Sequence, residues 1–120
     1  MRISAAAASS MNGKLTLSEN IADVAGLSAS YDAYRMSLGG KRAPLVAGLT
    51  GDQQFFIAFA QSWRSISREP SMRLRILGDS HSPDEFRTAT VRNLDPWYAA
   101  FDVKPGQAMY LAPLERVRVW

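Results

Sequence analysis

Four side chains carry most of the chemistry open to this sequence: Glu19, Asp23, His81 and Arg87. Glu19 and Asp23 stand four positions apart, a spacing that places both carboxylates on one face of an α-helix, one turn from each other. If that face is shielded from water, the pair needs a cation, a metal or a strong hydrogen-bond donor to offset desolvation. The plainer alternative is that Glu19 favours a helix N-terminus through the dipole while Asp23 pairs with a nearby arginine. His81 is the single histidine of the chain. One histidine with two carboxylates makes a poor zinc site, because zinc takes at least three protein ligands rich in nitrogen or sulfur. Arg87 offers a planar fork of donors suited to a carboxylate or a peptide carbonyl, and equally to neutralising Asp23 or Asp84. No serine lies in a nucleophile elbow and no glycine-rich loop follows a strand to hold phosphates.

The elements that must position these groups are helical. Leu17, Ile21, Val24, Leu27, Tyr31, Tyr34 and Leu38 recur in steps of three and four, one apolar stripe of a first helix that Gly39-Gly40 ends. Its other side holds Ala22, Gly26, Ala29, Ser30 and Ala33 beside the two carboxylates. A row of small residues lets another backbone approach closely, so this helix is expected to be buried on both sides. Thr50 with Gln53 forms a capping box for a second helix, whose apolar face runs from Phe55 to Ile66. Pro70 opens a short third helix closed by Gly78, and the polar stretch from Asp79 to Asn93 reads as irregular. Asp95 as N-cap, with Pro96 in the first helical position, starts a fourth helix holding Trp97, Tyr98 and Phe101. Lys104-Pro105-Gly106-Gln107 has the residues of a type II turn. The end, Glu115 to Trp120, alternates charged and apolar groups as an extended or edge segment does. Mainly α architecture follows: about four helices, irregular loops and a short extended C-terminus. Residues 1–10 read as a flexible lead-in and residues 11–120 as one folded unit.

Composition narrows the function classes. The 120 residues are 47% hydrophobic and 21% charged, enough apolar material for one modest core and too little for two domains. The complete absence of cysteine excludes disulfides, thiolate metal sites and thiol nucleophiles. A net charge of +3 comes from basic residues that form no block able to track a phosphate backbone, so no nucleic-acid partner is expected. The densest basic run, Arg64 to Arg75, is interleaved with apolar residues as solvated helix faces are. No segment is long enough to span a membrane, and the apolar stretch near Met1 is too short and alanine-rich for a signal-peptide core.

A more specific reading comes from resemblance. The run from Asn12 to Gly26, containing Glu19-Asn20-Ile21-Ala22-Asp23, closely resembles the Glu-Asn-x-x-Asp segment of the neprilysin-like zinc metallopeptidases. The likeness continues in collinear order through Gln54-Phe55-Phe56-Ile57-Ala58-Phe59-Ala60-Gln61-Ser62-Trp63, Asp79-Ser80-His81-Ser82-Pro83, Phe86-Arg87 and the final Arg118-Val119-Trp120. It spans about residues 11–120 and resembles the C-terminal part of that family's gluzincin-type catalytic domain.

The resemblance implies roles residue by residue. Glu19 matches the family's third zinc ligand, and Asp23 the carboxylate that orients one of the zinc-binding histidines. His81 matches the histidine that donates to the oxyanion of the tetrahedral intermediate, and Arg87 the arginine that binds a substrate backbone carbonyl. The small-residue side of the first helix then matches the surface against which the family packs its zinc-binding helix. The implied cofactor is zinc and the implied substrate a peptide. Ala25 stands where the family's glycine pair would begin. Arg64 and Val117 stand where disulfide-bonded animal members carry cysteine, which implies a bacterial-type member. No His-Glu-x-x-His occurs in these 120 residues. The chain by itself is therefore expected to be inactive and to bind zinc weakly or not at all, as a truncated product or fragment of the catalytic domain. A homodimer, or a companion chain supplying the zinc-binding helix, is expected to cover the small-residue face. The other reading is a non-catalytic helical module that uses this face to bind a partner helix or a second copy.

Overall fold

A computed structural model describes residues 13–65, 70–72, 78 and 84–120, and in these the chain is mainly α with no β-sheet. Helix α1 (Gly13–Ser37) begins a turn before the expected Leu17 and stops where Gly39 and Gly40 take φ of +56° and +77°, a region open to glycine at little steric cost. Val24 and Leu27 from its apolar stripe are buried, whereas Leu17 and Ile21 at its N-terminal end stay exposed. Helix α2 (Gly51–Ser62) starts with the expected capping box. The Gln53 amide donates to Thr50 Oγ1 at 3.2 Å and the Thr50 amide to Gln53 Oε1 at 3.0 Å. It ends before the expected Ile66, because the Trp63 amide turns back to the Ala60 carbonyl and tightens the last turn. Residues 70–72 and 78 are helical, in keeping with the expected short third helix, while Leu74 and Leu77 lie outside the described residues.

Two expectations need correction. The second half of the stretch read as irregular is ordered: helix α3 (Asp84–Thr88) runs directly into a 3-10 turn, Ala89–Asn93. Neither piece is long enough to show a periodicity. What orders them is tertiary, since Ala89, Thr90 and Val91 are buried and this turn packs on α1. Helix α4 (Asp95–Phe101) takes Leu94, not Asp95, as its N-cap, so Pro96 falls at the second helical position instead of the expected first. Asp95 does not cap because its carboxylate is held elsewhere, by Arg116 Nη1 at 2.9 Å and Arg118 Nη2 at 2.6 Å.

The turn at Lys104–Gln107 forms as expected, with Gly106 at φ +91° and the Gln107 amide donating to the Lys104 carbonyl at 3.2 Å. Beyond a 3-10 turn, Pro113–Glu115, the C-terminal residues run extended without joining a sheet. They are tied down by the Asp95 pairs and by the Val117 amide donating to Asn93 Oδ1 at 2.8 Å. Phe56, Val91, Leu94, Trp97 and Tyr98 form the buried centre with Leu27 of α1, and Tyr31, Phe55 and Phe59 pack around it. This core fixes α1 against the Ala89–Asn93 turn, and with it the relation of α1 to α3.

Candidate active site

Helix α1 carries Glu19 and Asp23 one turn apart, both half-buried. Arg87 sits at the end of α3, immediately ahead of the turn that packs on α1, so the fold delivers its guanidinium to the acidic face of that helix. Arg87 Nε donates to Asp23 Oδ2 at 2.9 Å and Nη2 to Asp23 Oδ1 at 2.8 Å. This two-pronged geometry suits the planar fork of an arginine and is beyond a lysine. The two side chains are only 18% and 16% exposed, so the pair is shielded enough to matter energetically. Of the partners open to Asp23 on sequence grounds, the structure supplies the arginine.

The guanidinium is held from a second direction. Its central carbon lies 3.8 Å from the centroid of the Trp63 ring, a cation–π contact made at the C-terminal cap of α2. Three elements thus meet at Arg87: α1 through Asp23, α2 through Trp63, and α3, which carries it. The start of α3 is anchored by Ser65 Oγ donating to the Asp84 carboxylate and by Thr88 Oγ1 donating to the Asp84 carbonyl at 3.0 Å.

The other side of α1 corrects an expectation. Ala22, Gly26, Ala29, Ser30 and Ala33 are exposed, and a side chain added at Gly26 would meet no heavy atom within 4 Å. The helix is therefore buried on one side, not both, among the described residues. The row of small residues is an exposed surface, and nothing described in this chain lies against Gly26.

Asp23 and Arg87 are brought together, with Glu19 one turn away along the same helix. His81 lies outside the described residues. Among the described residues no three His, Cys, Asp or Glu side chains converge to hold a metal ion. Glu19 offers one carboxylate and Asp23 is engaged by Arg87, so these residues alone do not fit a zinc ion, which requires a closed set of ligands.

Trp63 belongs to the site, although its spacing in the sequence marked it as one more core aromatic. Only its position at the end of the resembling Gln61-Ser62-Trp63 segment set it apart. Two further constraints were not legible. Tyr31 donates to Asp52 Oδ2 at 2.9 Å, joining α1 to the first turn of α2. Burial, together with this hydrogen bond, pushes the Tyr31 phenol up to about 12. Asp95 is held below its ordinary value, first by the Arg116 hydrogen bond and then by Arg118, with burial opposing both.

This arrangement of a long helix with a Glu-x-x-x-Asp face, an arginine brought to it from a following helix and an aromatic helix behind belongs to a recognisable class, the neprilysin-like zinc metallopeptidases. Residues 2–117 match the model of Peptidase family M13. The chain is 38% identical to Neprilysin-3 of Drosophila melanogaster over 92% of its own length and 14% of that protein's. It is 37% identical to Endothelin-converting enzyme 1 of Bos taurus over 92% of its length and 15% of the relative's. Among solved structures, the zinc metalloprotease Zmp1 of Mycobacterium tuberculosis in complex with an inhibitor superposes with a TM-score of 0.88 at 47% identity, covering 92% of this chain and 17% of Zmp1. The same protease in its open state superposes with a TM-score of 0.87 at 48% identity. The chain belongs to peptidase family M13. It spans about 15% of the length of the curated relatives it matches, and the C-terminal placement implied by the resemblance fits a piece of that size.

Proposed function

We propose that this chain is the C-terminal portion of the catalytic domain of a zinc-dependent endopeptidase, in which Glu19 serves as a metal ligand, Asp23 as a positioning carboxylate, and His81 and Arg87 as electrostatic partners of the bound peptide. The observation that carries the reading is the Asp23–Arg87 pair, set one turn from Glu19 beside an uncovered row of small residues. A carboxylate held in one orientation by two hydrogen bonds keeps its lone pairs directed, as a group that orients a metal-binding imidazole must. A guanidinium held in turn by that carboxylate is already desolvated and aimed, so it binds a peptide carbonyl without reorganising.

The same reading assigns the His-Glu-x-x-His helix to sequence outside these 120 residues, with the bare face of α1 as its seat. Alone, the chain hydrolyses no peptide and binds zinc no better than a surface carboxylate does. The absence of cysteine, with 47–48% identity to a mycobacterial protease against 37–39% to the animal relatives, supports a bacterial-type member. Mixing the chain with a separately produced His-Glu-x-x-His segment and zinc tests the proposal. Peptide hydrolysis that disappears in Glu19→Ala is the expected result. Hydrolysis indifferent to Glu19, or tight stoichiometric zinc binding by the chain alone in calorimetry, overturns it.

A second reading has its own observation. The exposed Ala22, Gly26, Ala29 and Ala33 present removable apolar surface and no bulky side chains, which supports self-association of the isolated chain through α1 as a non-catalytic module. Sedimentation of the chain alone, followed by the same measurement with the helix segment added, separates a homodimer from a heterocomplex.

A further inference from the structure

The geometry points to Trp63 as the positioning residue of Arg87: its indole face fixes the plane of the guanidinium, so that the Nη1 edge remains presented to a peptide carbonyl. This deepens the function proposed above and rests on the reading of Arg87 as a carbonyl-binding group. Nε and Nη2 are both engaged by Asp23, at 2.9 and 2.8 Å. Nη1 donates to no side chain or carbonyl among the described residues, so it is the edge left for a ligand. Two hydrogen bonds to one carboxylate define the direction of the fork but leave the pair free to tilt about the line joining the two groups. A ring 3.8 Å from the guanidinium carbon removes that freedom.

The choice of tryptophan supports this. Its Nε1 is buried and has no hydrogen-bond partner among the described residues. A buried donor without an acceptor is unfavourable, and phenylalanine would fill much of the same space without one. Packing alone therefore favours the smaller ring, whereas the extended, electron-rich indole face is the better platform for a cation. The backbone supports the placement as well: Trp63 is the C-cap of α2, outside the regular helix, at φ −100° and ψ 6°. From there the ring lies against the Arg87 guanidinium.

The test reads Arg87 directly by NMR on the full chain, using the guanidinium signals assigned through Arg87→Lys. In the wild type the Arg87 Nε–H and Nη–H resonances are expected to be displaced upfield by the indole ring current, with slow rotation about the Cζ–N bonds. Trp63→Phe, a poorer platform, is expected to speed rotation by about threefold and Trp63→Leu by about tenfold, the range set by weakening and loss of a partly shielded cation–π contact. Wild-type signals without a ring-current displacement overturn the inference even if the leucine variant does not fold. Arg87 signals unchanged in a folded Trp63→Leu variant also overturn it, since a merely structural tryptophan would alter the melt and not the rotation. A failure of the peptidase reading is distinguishable, because it appears as no hydrolysis in the zinc and helix-segment mixture while the Arg87 signature stays intact.

Discussion

Around Phe56 the side chains close on one another, whereas the small-residue side of α1 from Ala22 to Ala33 is exposed. Phe56 is 2% exposed and meets Tyr31 in a stacked contact at 5.7 Å and Phe55 edge-on at 5.2 Å. That region is closed by α1, α2, α4, the Ala89–Asn93 turn and the segment after α4, through Val103, Met109, Tyr110 and Leu111. On the acidic face of α1 Asp23 is paired with Arg87, and beside the pair lies an exposed row of small residues. The first region is closed by this chain, and the second is left exposed, as the proposed seat of a partner helix requires. The buried core lies away from that face, and this division lets the face stay uncovered without unfolding the domain.

The comparison breaks most sharply in the core. Phe56→Ala removes the best-buried aromatic and leaves a cavity that its stacked neighbours cannot fill, for an expected loss of about 3–5 kcal/mol. A domain of this size has little more than that to lose, so the cooperative thermal transition should disappear. Phe59 packs at the margin of the core and is only half-buried. Phe59→Ala should therefore keep a transition, at lower temperature. Equal effects at the two positions would show that the core is not centred on Phe56.

The next effect belongs to the site. Asp23→Ala or Arg87→Ala leaves its partner charged, largely shielded and unpaired, with an expected loss of about 2–3 kcal/mol, below the range for fully buried pairs because both groups keep some contact with water. Removing both charges together should be less destabilising than the two single changes summed. A double-mutant cycle by chemical denaturation measures this, and strict additivity would mean that the pair contributes nothing beyond its separate parts.

A smaller and pH-dependent effect lies at the joint between α1 and α2. Tyr31 has its folded-state value raised from 10.0 to about 12, by burial first and by the hydrogen bond to Asp52 next. A raised value means that the folded state holds the phenolic proton more tightly than the unfolded chain does. The contribution is therefore fully present below pH 10.0 and is lost as pH rises through about 12. Phenolate absorbance should show one tyrosine ionising late, and Tyr31→Phe should remove that alkaline loss of stability. At neutral pH the same change should cost about 0.5–1.5 kcal/mol, the net worth of one hydrogen bond.

What was legible in the sequence follows the same division. Signals written in neighbouring residues came through: the stripe of α1, its stop at Gly39-Gly40, the Thr50–Gln53 capping box and the Lys104–Gln107 turn. Each depends on contacts within a few positions, so the chain states them locally. Elements made by distant contacts did not come through. Helix α3 and the turn after it exist because Ala89, Thr90 and Val91 are buried against α1, and Asp95 fails as a cap because Arg116 and Arg118, more than twenty positions on, take its carboxylate. At the site, spacing gave the Glu19–Asp23 face and named arginine as one of several partners. It offered Arg87, 64 positions away, as a partner for Asp23 or Asp84 without deciding between them or against a ligand, and it gave no reason to separate Trp63 from the aromatics of the core.

The smallest expected effect is the most telling about the bare face. Ala29 is exposed in the middle of the small row, so Ala29→Trp should change the melting free energy of the isolated chain by less than about 0.5 kcal/mol. If α1 is the seat of a second helix, the same side chain would stand in the space where that backbone must approach, and interfaces built on small residues tolerate no such bulk. Association with the His-Glu-x-x-His segment, or with a second copy of this chain, should then fall by at least tenfold, about 1.4 kcal/mol, in sedimentation or calorimetry. Stability unchanged with association abolished would separate the two regions cleanly, one sufficient in itself and the other waiting for a partner. Association unchanged by the tryptophan would place the binding surface elsewhere and leave the small row of α1 without a role.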